Sequence, residues 1–260
     1  YLADPAKDES AMYVNNMFHQ HEIYVSAANL YRISSHWSAS LSADWQWNKL
    51  NANLYKFAYP TRNTVLTAAA IAAEYNKVKA QASLLATFVC DRAGTDTTTM
   101  DDKTELTPTL VMSYKPFRKI DLSLRGFYKK IFRMPTLNDL YYTFIGNVRL
   151  KPEYTEQYNV GFTYAMKPCR RWLKRMEIQA DIYYNNVKDK IIAVPTRNQF
   201  RWTMVNLGTV DIYGADVALV SSWSLSGGIK LDGRVNYTWQ KAVDVRSEER
   251  RVGKECHFEC

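Results

Sequence analysis

Hydrophobic and polar side chains alternate with a period of two along most of this 260-residue chain. Trp37, Ala39, Leu41, Ala43, Trp45 and Trp47 are interleaved with Ser38, Ser40, Ser42, Asp44 and Gln46. The same spacing recurs at Ile120, Leu122, Leu124 and Gly126, at Met176, Ile178, Ala180, Ile182 and Tyr184, and at Ile229, Leu231, Gly233, Val235, Tyr237 and Trp239. Successive side chains on a strand point to opposite faces, so each run predicts a strand with one apolar and one polar face. Weaker runs near 22–32, 64–75, 78–89, 104–114, 154–164 and 211–223 bring the expected total to about ten strands. Segment 64–89 is rich in alanine and also admits a helical hairpin. Alternation at Val78, Ala80, Ala82, Leu84, Ala86 and Phe88 favours two strands instead.

These strands are long. A globular strand averages about 5–6 residues, whereas a tilted strand that crosses a bilayer needs about 9–11. The links alternate as well: short near 33–35, 76–77, 115–118, 165–174 and 224–227, long near 1–20, 48–63, 91–103, 132–152 and 188–205. Short turns on one side and long loops on the other is the asymmetry of outer-membrane barrels. The expected fold is all-β, an antiparallel up-and-down meander. Its apolar face would look out to lipid, and a polar face carrying Asp44, Asp121, Arg125, Asp181, Asp232 and Arg234 would line a wet bore. Trp45, Trp47, Tyr75, Tyr114, Tyr164, Trp223 and Trp239 fall near the expected strand ends, where interfacial aromatic girdles sit. A β-sandwich with the apolar face inward is the alternative, and it would bury Leu41, Leu122, Ile178 and Leu231 together.

Composition narrows the choice. The mean hydropathy is −0.37, and the longest apolar run, 68–73, stops at Glu74. That excludes a membrane helix, which needs about 18 apolar residues, and leaves a barrel open. The 18 Tyr and 7 Trp suit a water–lipid interface. The net charge of +8 is scattered apart from a cluster at 167–175, so no nucleic-acid partner is expected. Residues 246–260 follow no strand pattern and resemble a translated sequencing-adapter oligonucleotide. They are read as a non-native tail, with 1–245 as the barrel portion. Cys256 and Cys260 leave with that tail. Cys90 and Cys169 fall on opposite sides of the expected bilayer and should not pair. No enzyme, metal site or cofactor is expected. His19, His21 and His36 cluster near the start, no phosphate loop or CxxC is present, and Asp101-Asp102 sits in a polar loop.

One stretch is more specific. Phe132-Arg133-Met134-Pro135-Thr136-Leu137-Asn138-Asp139-Leu140-Tyr141-Tyr142 is followed by Gly146-Asn147, then Leu150-Lys151-Pro152-Glu153, then Tyr158-Asn159-Val160-Gly161-Phe162. It resembles the TonB-dependent outer-membrane receptors, as do Tyr183-Tyr184-Asn185, Lys188-Asp189-Lys190-Ile191-Ile192, Val205-Asn206-Leu207-Gly208 and Tyr213-Gly214-Ala215-Asp216 further on. The resemblance implies a 22-stranded barrel with a plug, of which this chain would hold about ten later strands. It also implies active import of a scarce nutrient such as a siderophore, cobalamin or glycan. The implied partners are outer-membrane lipid, the TonB complex acting through a plug that lies outside this sequence, and a surface lipoprotein. A passive porin-like barrel and a soluble carbohydrate-binding sandwich are the alternatives. Haem is disfavoured, because no His occurs between Phe132 and Pro152.

The motif residues Phe132, Arg133, Pro135, Gly146, Asn147, Leu150, Pro152, Glu153 and Gly161 are expected to shape a loop and its return strand. Pro removes a ladder donor where a strand leaves a sheet, and Gly-Asn is turn chemistry. Ligand contacts are expected on the long loops, since loops on a rigid scaffold carry function. The candidates are Tyr55, Phe57 and Tyr59; Arg133, Tyr141, Tyr142, Asn147 and Arg149; and Arg197, Phe200, Arg201 and Trp202.

Overall fold

The computed structural model describes residues 16–54, 57–94, 100–142, 145–166, 172–195, 202–225 and 228–245. Ten strands form one antiparallel sheet in which neighbours in sequence are neighbours in space. They are β1 (Phe18–Arg32), β2 (Trp37–Ala52), β3 (Thr61–Tyr75), β4 (Val78–Arg92), β5 (Lys103–Tyr114), β6 (Asp121–Arg133), β7 (Glu153–Met166), β8 (Leu173–Lys188), β11 (Thr209–Ser224) and β12 (Lys230–Asp244). The helical alternative for 64–89 does not form: β3 and β4 pair from Thr61↔Arg92 to Tyr75↔Val78. Asn76 closes that hairpin with φ of 28°, a left-handed backbone that Asn tolerates better than most residues.

A single layer cannot bury both faces. Leu41 and Leu231 are 62% and 55% exposed, and Leu122 and Ile178 are only half-buried. Trp37 and Trp45 are exposed too. The sandwich alternative is therefore excluded, and the apolar side chains form an outward band. The buried clusters lie toward the long-loop end instead. They are Leu50, Ala52, Phe57 and Leu137; Leu140, Leu150 and Ile191; and Val187, Val210 and Ile212.

The strands overrun their expected ends on the long-loop side, β2 reaching Ala52 and β12 reaching Asp244. Trp45, Trp47 and Trp239 consequently sit within strands and not at their ends. They still fit a girdle. Near the short turns, Trp37 Nε1 donates to the Tyr75 hydroxyl at 2.8 Å, and Trp172 packs on Trp223. Eight residues beyond Trp37 lies Trp45, about 27 Å along the strand, or about 20 Å of height at usual barrel tilts. Across the later strands the upper boundary is a tyrosine row, Tyr128–Tyr158–Tyr184–Tyr213, with ring centroids 5.0, 6.2 and 6.0 Å apart. The aromatics thus mark the edges of the apolar band, while the strands run on into water.

Two features depart from a plain meander. The expected long link 188–205 contains a hairpin, β9 (Ile191–Pro195) paired with β10 (Trp202–Asn206). The ladder between β5 and β6 starts only at Thr109↔Lys129, next to Pro108, which has no N–H to donate. Above that point the Tyr154 hydroxyl of β7 donates to Glu105 of β5 at 2.7 Å.

Candidate functional site

The site is built around the loop 134–152. β6 ends at Arg133, and Thr136 then caps the short helix α1 (Leu137–Tyr141). Asp139 N donates to Thr136 Oγ1 at 3.1 Å, and Thr136 N donates to the Asp139 carboxylate at 2.9 Å. This reciprocal capping box satisfies two amide donors at once. It stabilises a helix far too short to persist alone. The helix turns Leu137 and Leu140 inward, each under 5% exposed. Leu137 packs on Leu50, Ala52 and Phe57 beside β2, and Phe18 of β1 stacks on Tyr142 at 4.6 Å.

The other half of the loop grips the opposite side. Asn147 N donates to Asp139 O at 2.8 Å, its Nδ2 to Met204 O at 2.9 Å, and its Oδ1 accepts from Arg149 N. Asn206 Oδ1 accepts from Lys151 N, and its Nδ2 donates to Lys151 O. Leu150 is buried against Ile191, and Ile191 N donates to Glu153 at 3.0 Å. A side chain at Gly146 would place its Cβ 2.7 Å from Tyr142 O, so only Gly fits that close approach. One segment thus spans from β1–β2 to the β9–β10 hairpin and roofs the polar face of the sheet, whose edge strands β1 and β12 do not pair with each other.

A buried ion pair pins the roof. Arg62 of β3 bonds Asp91 of β4 through Nε at 2.7 Å and Nη2 at 2.6 Å, with both side chains under 10% exposed. Its Nη1 donates to Pro135 O at 2.5 Å. Pro135 is itself fully buried. The fork geometry of guanidinium suits this: two hydrogens serve the carboxylate and a third reaches the loop. Neither Arg62 nor Asp91 stood out in the sequence, because their partner Pro135 lies 73 residues from Arg62. Tyr141 borders this pair, and burial pushes its phenol above the usual range.

The motif residues mostly build the roof. Phe132 packs on Tyr154 at 5.5 Å. Arg133 faces Asp139 and Glu153 at 3.8 and 3.7 Å, closing the loop's two ends. Pro152 is buried at the return strand. Gly161 acts lower in the bore. Arg125 of β6 and Asp181 of β8 flank it in register, and Arg125 reaches across it to hold both Asp181 oxygens. A Cβ at Gly161 would lie 2.1 Å from Asp181 Oδ1. Glycine here lets an ion pair cross an intervening strand.

Among the ligand candidates, Tyr59, Tyr142, Arg149 and Trp202 are exposed at the mouth, Arg133, Tyr141 and Asn147 are engaged in the roof, and Arg197, Phe200, Arg201 and Tyr55 lie outside the described residues. So do Cys169 and the tail 246–260; Cys90 is a free thiol. Tyr59 has φ of 44°, a left-handed backbone that is costly for a bulky residue. It packs edge-on to Phe57 at 5.4 Å. Below the roof, the wall of β1–β6 forms a cleft of about 460 Å³ of mixed character, lined by Gln20, Gln46, Asn48, Thr87 and Lys129 and also by Leu66, Leu85, Val89 and Ile131. The ligand candidates named from sequence did not include this cleft, although its residues occupy the polar phase of the alternation.

A single-layer meander with an apolar exterior, a polar interior and long loops at one end defines a membrane β-barrel wall. Residues 19–255 match the family described as TonB dependent receptor-like, beta-barrel, and the chain belongs to that family. Over 113 residues it is 29% identical to the vitamin B12 transporter BtuB of Vibrio vulnificus (strain YJ016), covering 44% of this chain and 16% of that protein. Among solved structures, the copper transporter OprC superposes with a TM-score of 0.69 at 16% identity, over 87% of this chain and 38% of OprC. The FrpB iron transporter of Neisseria meningitidis (F5-1 variant, apoprotein form) gives 0.65 at 12% identity, over 88% and 38%. The Serratia marcescens hemophore receptor HasR also gives 0.65, at 14% identity over 86% and 42%. These structural likenesses establish the fold. The chain spans well under half of each of these proteins.

Proposed function

We propose that this chain forms part of the wall and mouth of an outer-membrane importer that takes up a scarce nutrient using force delivered by TonB. The observation that carries this reading is the loop 134–152 folded across the polar face of the sheet and pinned by Arg62. A roofed bore suits capture of a particular cargo, whereas free diffusion calls for an open channel. The outward apolar band fits outer-membrane lipid, with the aromatic rows at its two boundaries. Contact with TonB would run through a plug encoded outside this sequence, and a surface lipoprotein could seat on the mouth. The relatives transport cobalamin, iron or copper by name, or receive a hemophore, so cobalamin and metal chelates are the first cargoes to test.

The experiment is uptake by cells carrying the full-length receptor, with and without TonB, using labelled cyanocobalamin, ferric siderophores and oligosaccharides. Uptake of one cargo that requires both the receptor and TonB is the expected result. Small-solute permeability independent of TonB would instead identify a passive porin.

A further inference from the structure

The roofed cleft carries a chemical preference. Its lining groups divide into those already matched and those left over. Arg62 is neutralised by Asp91, and the ammonium of Lys130 lies 5.8 Å above the Tyr154 ring. Glu22, on β1 at the other side of the cleft from β6, accepts from Gln46 Nε2 at 2.8 Å and has no cationic partner among the described residues, so the cleft carries its negative charge on the β1 side and its positive charge on the β6 side. Lys129 also lines the cleft, and among the described residues its ammonium has no carboxylate partner. The same holds for three lining hydroxyls, Thr64, Thr87 and Thr109, which have no hydrogen-bond partner among the described residues. Thr109 stands directly across the ladder from Lys129, and Thr87 lies two strands away from Lys129, on β4. Amides of Gln20, Gln46 and Asn48 complete the far wall, the aliphatic side chains of Leu66, Leu85, Val89 and Ile131 also line the cleft and can take the apolar faces of sugar rings, and Phe132 is the one aromatic ring among the lining residues.

We infer that this cleft binds an acidic saccharide, a hydroxyl-rich molecule bearing a carboxylate or phosphate. The inference rests on the importer reading and names the cargo class of that same bore. An anion at Lys129 would make a charge-assisted hydrogen bond in a partly enclosed site, stronger than a neutral one. Sugar hydroxyls both donate and accept, as do the threonines, so each unmatched hydroxyl finds a partner. A flat apolar chelate would instead desolvate those hydroxyls without replacing their water, a costly outcome for polar groups. It would also find a single ring to stack on. The volume lies within the usual range for a small-molecule site.

The test uses the purified full-length receptor in detergent, titrated with two matched pairs: digalacturonate against its dimethyl ester, and cellobiose 6-phosphate against cellobiose. The expected result is that at least one charged member binds tenfold or more tightly than its uncharged counterpart. Lys129→Gln should abolish most of that difference, Lys129→Arg should retain it, and Thr109→Val should weaken charged and uncharged members alike. Absence of charge preference in both pairs, or a preference that survives Lys129→Gln, overturns the inference. TonB-dependent uptake of cyanocobalamin that Lys129→Gln leaves unchanged would overturn it too, with the importer reading intact. Loss of TonB dependence for every cargo would overturn the importer reading itself.

Discussion

Replacing Arg62 separates two roles that one side chain combines. Arg62→Leu removes the partner of a carboxylate that is 3% exposed and also removes the donor to Pro135 O. Stranding a buried charge costs about 3–5 kcal/mol, which would obscure the smaller effect on the roof. Arg62→Leu combined with Asp91→Leu relieves that cost, because swapping a buried pair for apolar groups is often close to neutral. What remains lost is one hydrogen bond from a charged donor to the loop, worth about 1.5–3 kcal/mol. At about 2 kcal/mol the open population of the roof rises roughly thirty-fold, since each 1.4 kcal/mol is a factor of ten. Trypsin reads this directly. Arg149 is exposed but Leu150, across the scissile bond, is buried, so cutting there requires opening. With opening and closing fast relative to cleavage, the rate follows the open population. The double variant of the full-length receptor should therefore be cut about thirty-fold faster at Arg149 while its global unfolding temperature changes little. Unchanged cutting in the double variant would refute the claim that Arg62 pins the roof.

Gly161→Ala should destabilise the wall by about 2–4 kcal/mol, seen as a lower Tm, because its Cβ would meet Asp181 Oδ1 and Ala180 O and force apart the Arg125–Asp181 pair. Adding Asp181→Ser should recover less than half of that loss, since the clash with the Ala180 carbonyl remains. Tyr59→Gly relieves a left-handed backbone and should raise stability by about 1 kcal/mol; if the exposed ring touches cargo, uptake falls at the same time, whereas unchanged uptake would remove Tyr59 from the ligand contacts. Tyr141 has its phenol raised by burial, so the protonated form is favoured in the folded roof. Its contribution is complete below the ordinary value of about 10 and is lost as pH climbs through the raised one. Tryptic protection at Arg149 should accordingly decline in alkali, and Tyr141→Phe should hold protection to higher pH.

The order of strands, the sidedness of the loops and the direction of the apolar face were legible in the chain because period-two alternation is a local signal. It held even through the alanine-rich β3 and β4. The overrun of β2 beyond Trp47 was not legible. Asn48, Leu50 and Ala52 are buried toward the loop, so the apolar residues there switch faces and the alternation changes phase. The β9–β10 hairpin was read as a plain loop, since five-residue strands are too short to show a period. The motif 132–153 reads as loop-forming, and Arg133, Pro135, Leu137, Leu140, Gly146, Asn147 and Leu150 all take places in the roof. The Arg62–Asp91–Pro135 tie and the reach of Arg125 over Gly161 depend on contacts between distant strands, which no local spacing encodes. The cleft is not legible for a related reason: threonines and amides on the inner face are ordinary polar phase until the roof encloses them.

The loop 134–152 lies like a chord across an arc. Its helical part is fastened near the first strands of the sheet, and its part around Asn147 and Leu150 at the hairpin between the eighth and eleventh. The spacing of those two wall segments is therefore set by a single chain segment as well as by the ladders between them. A cargo that lifts this chord would let both rims move together, so distant parts of the wall would respond to one small displacement at the centre.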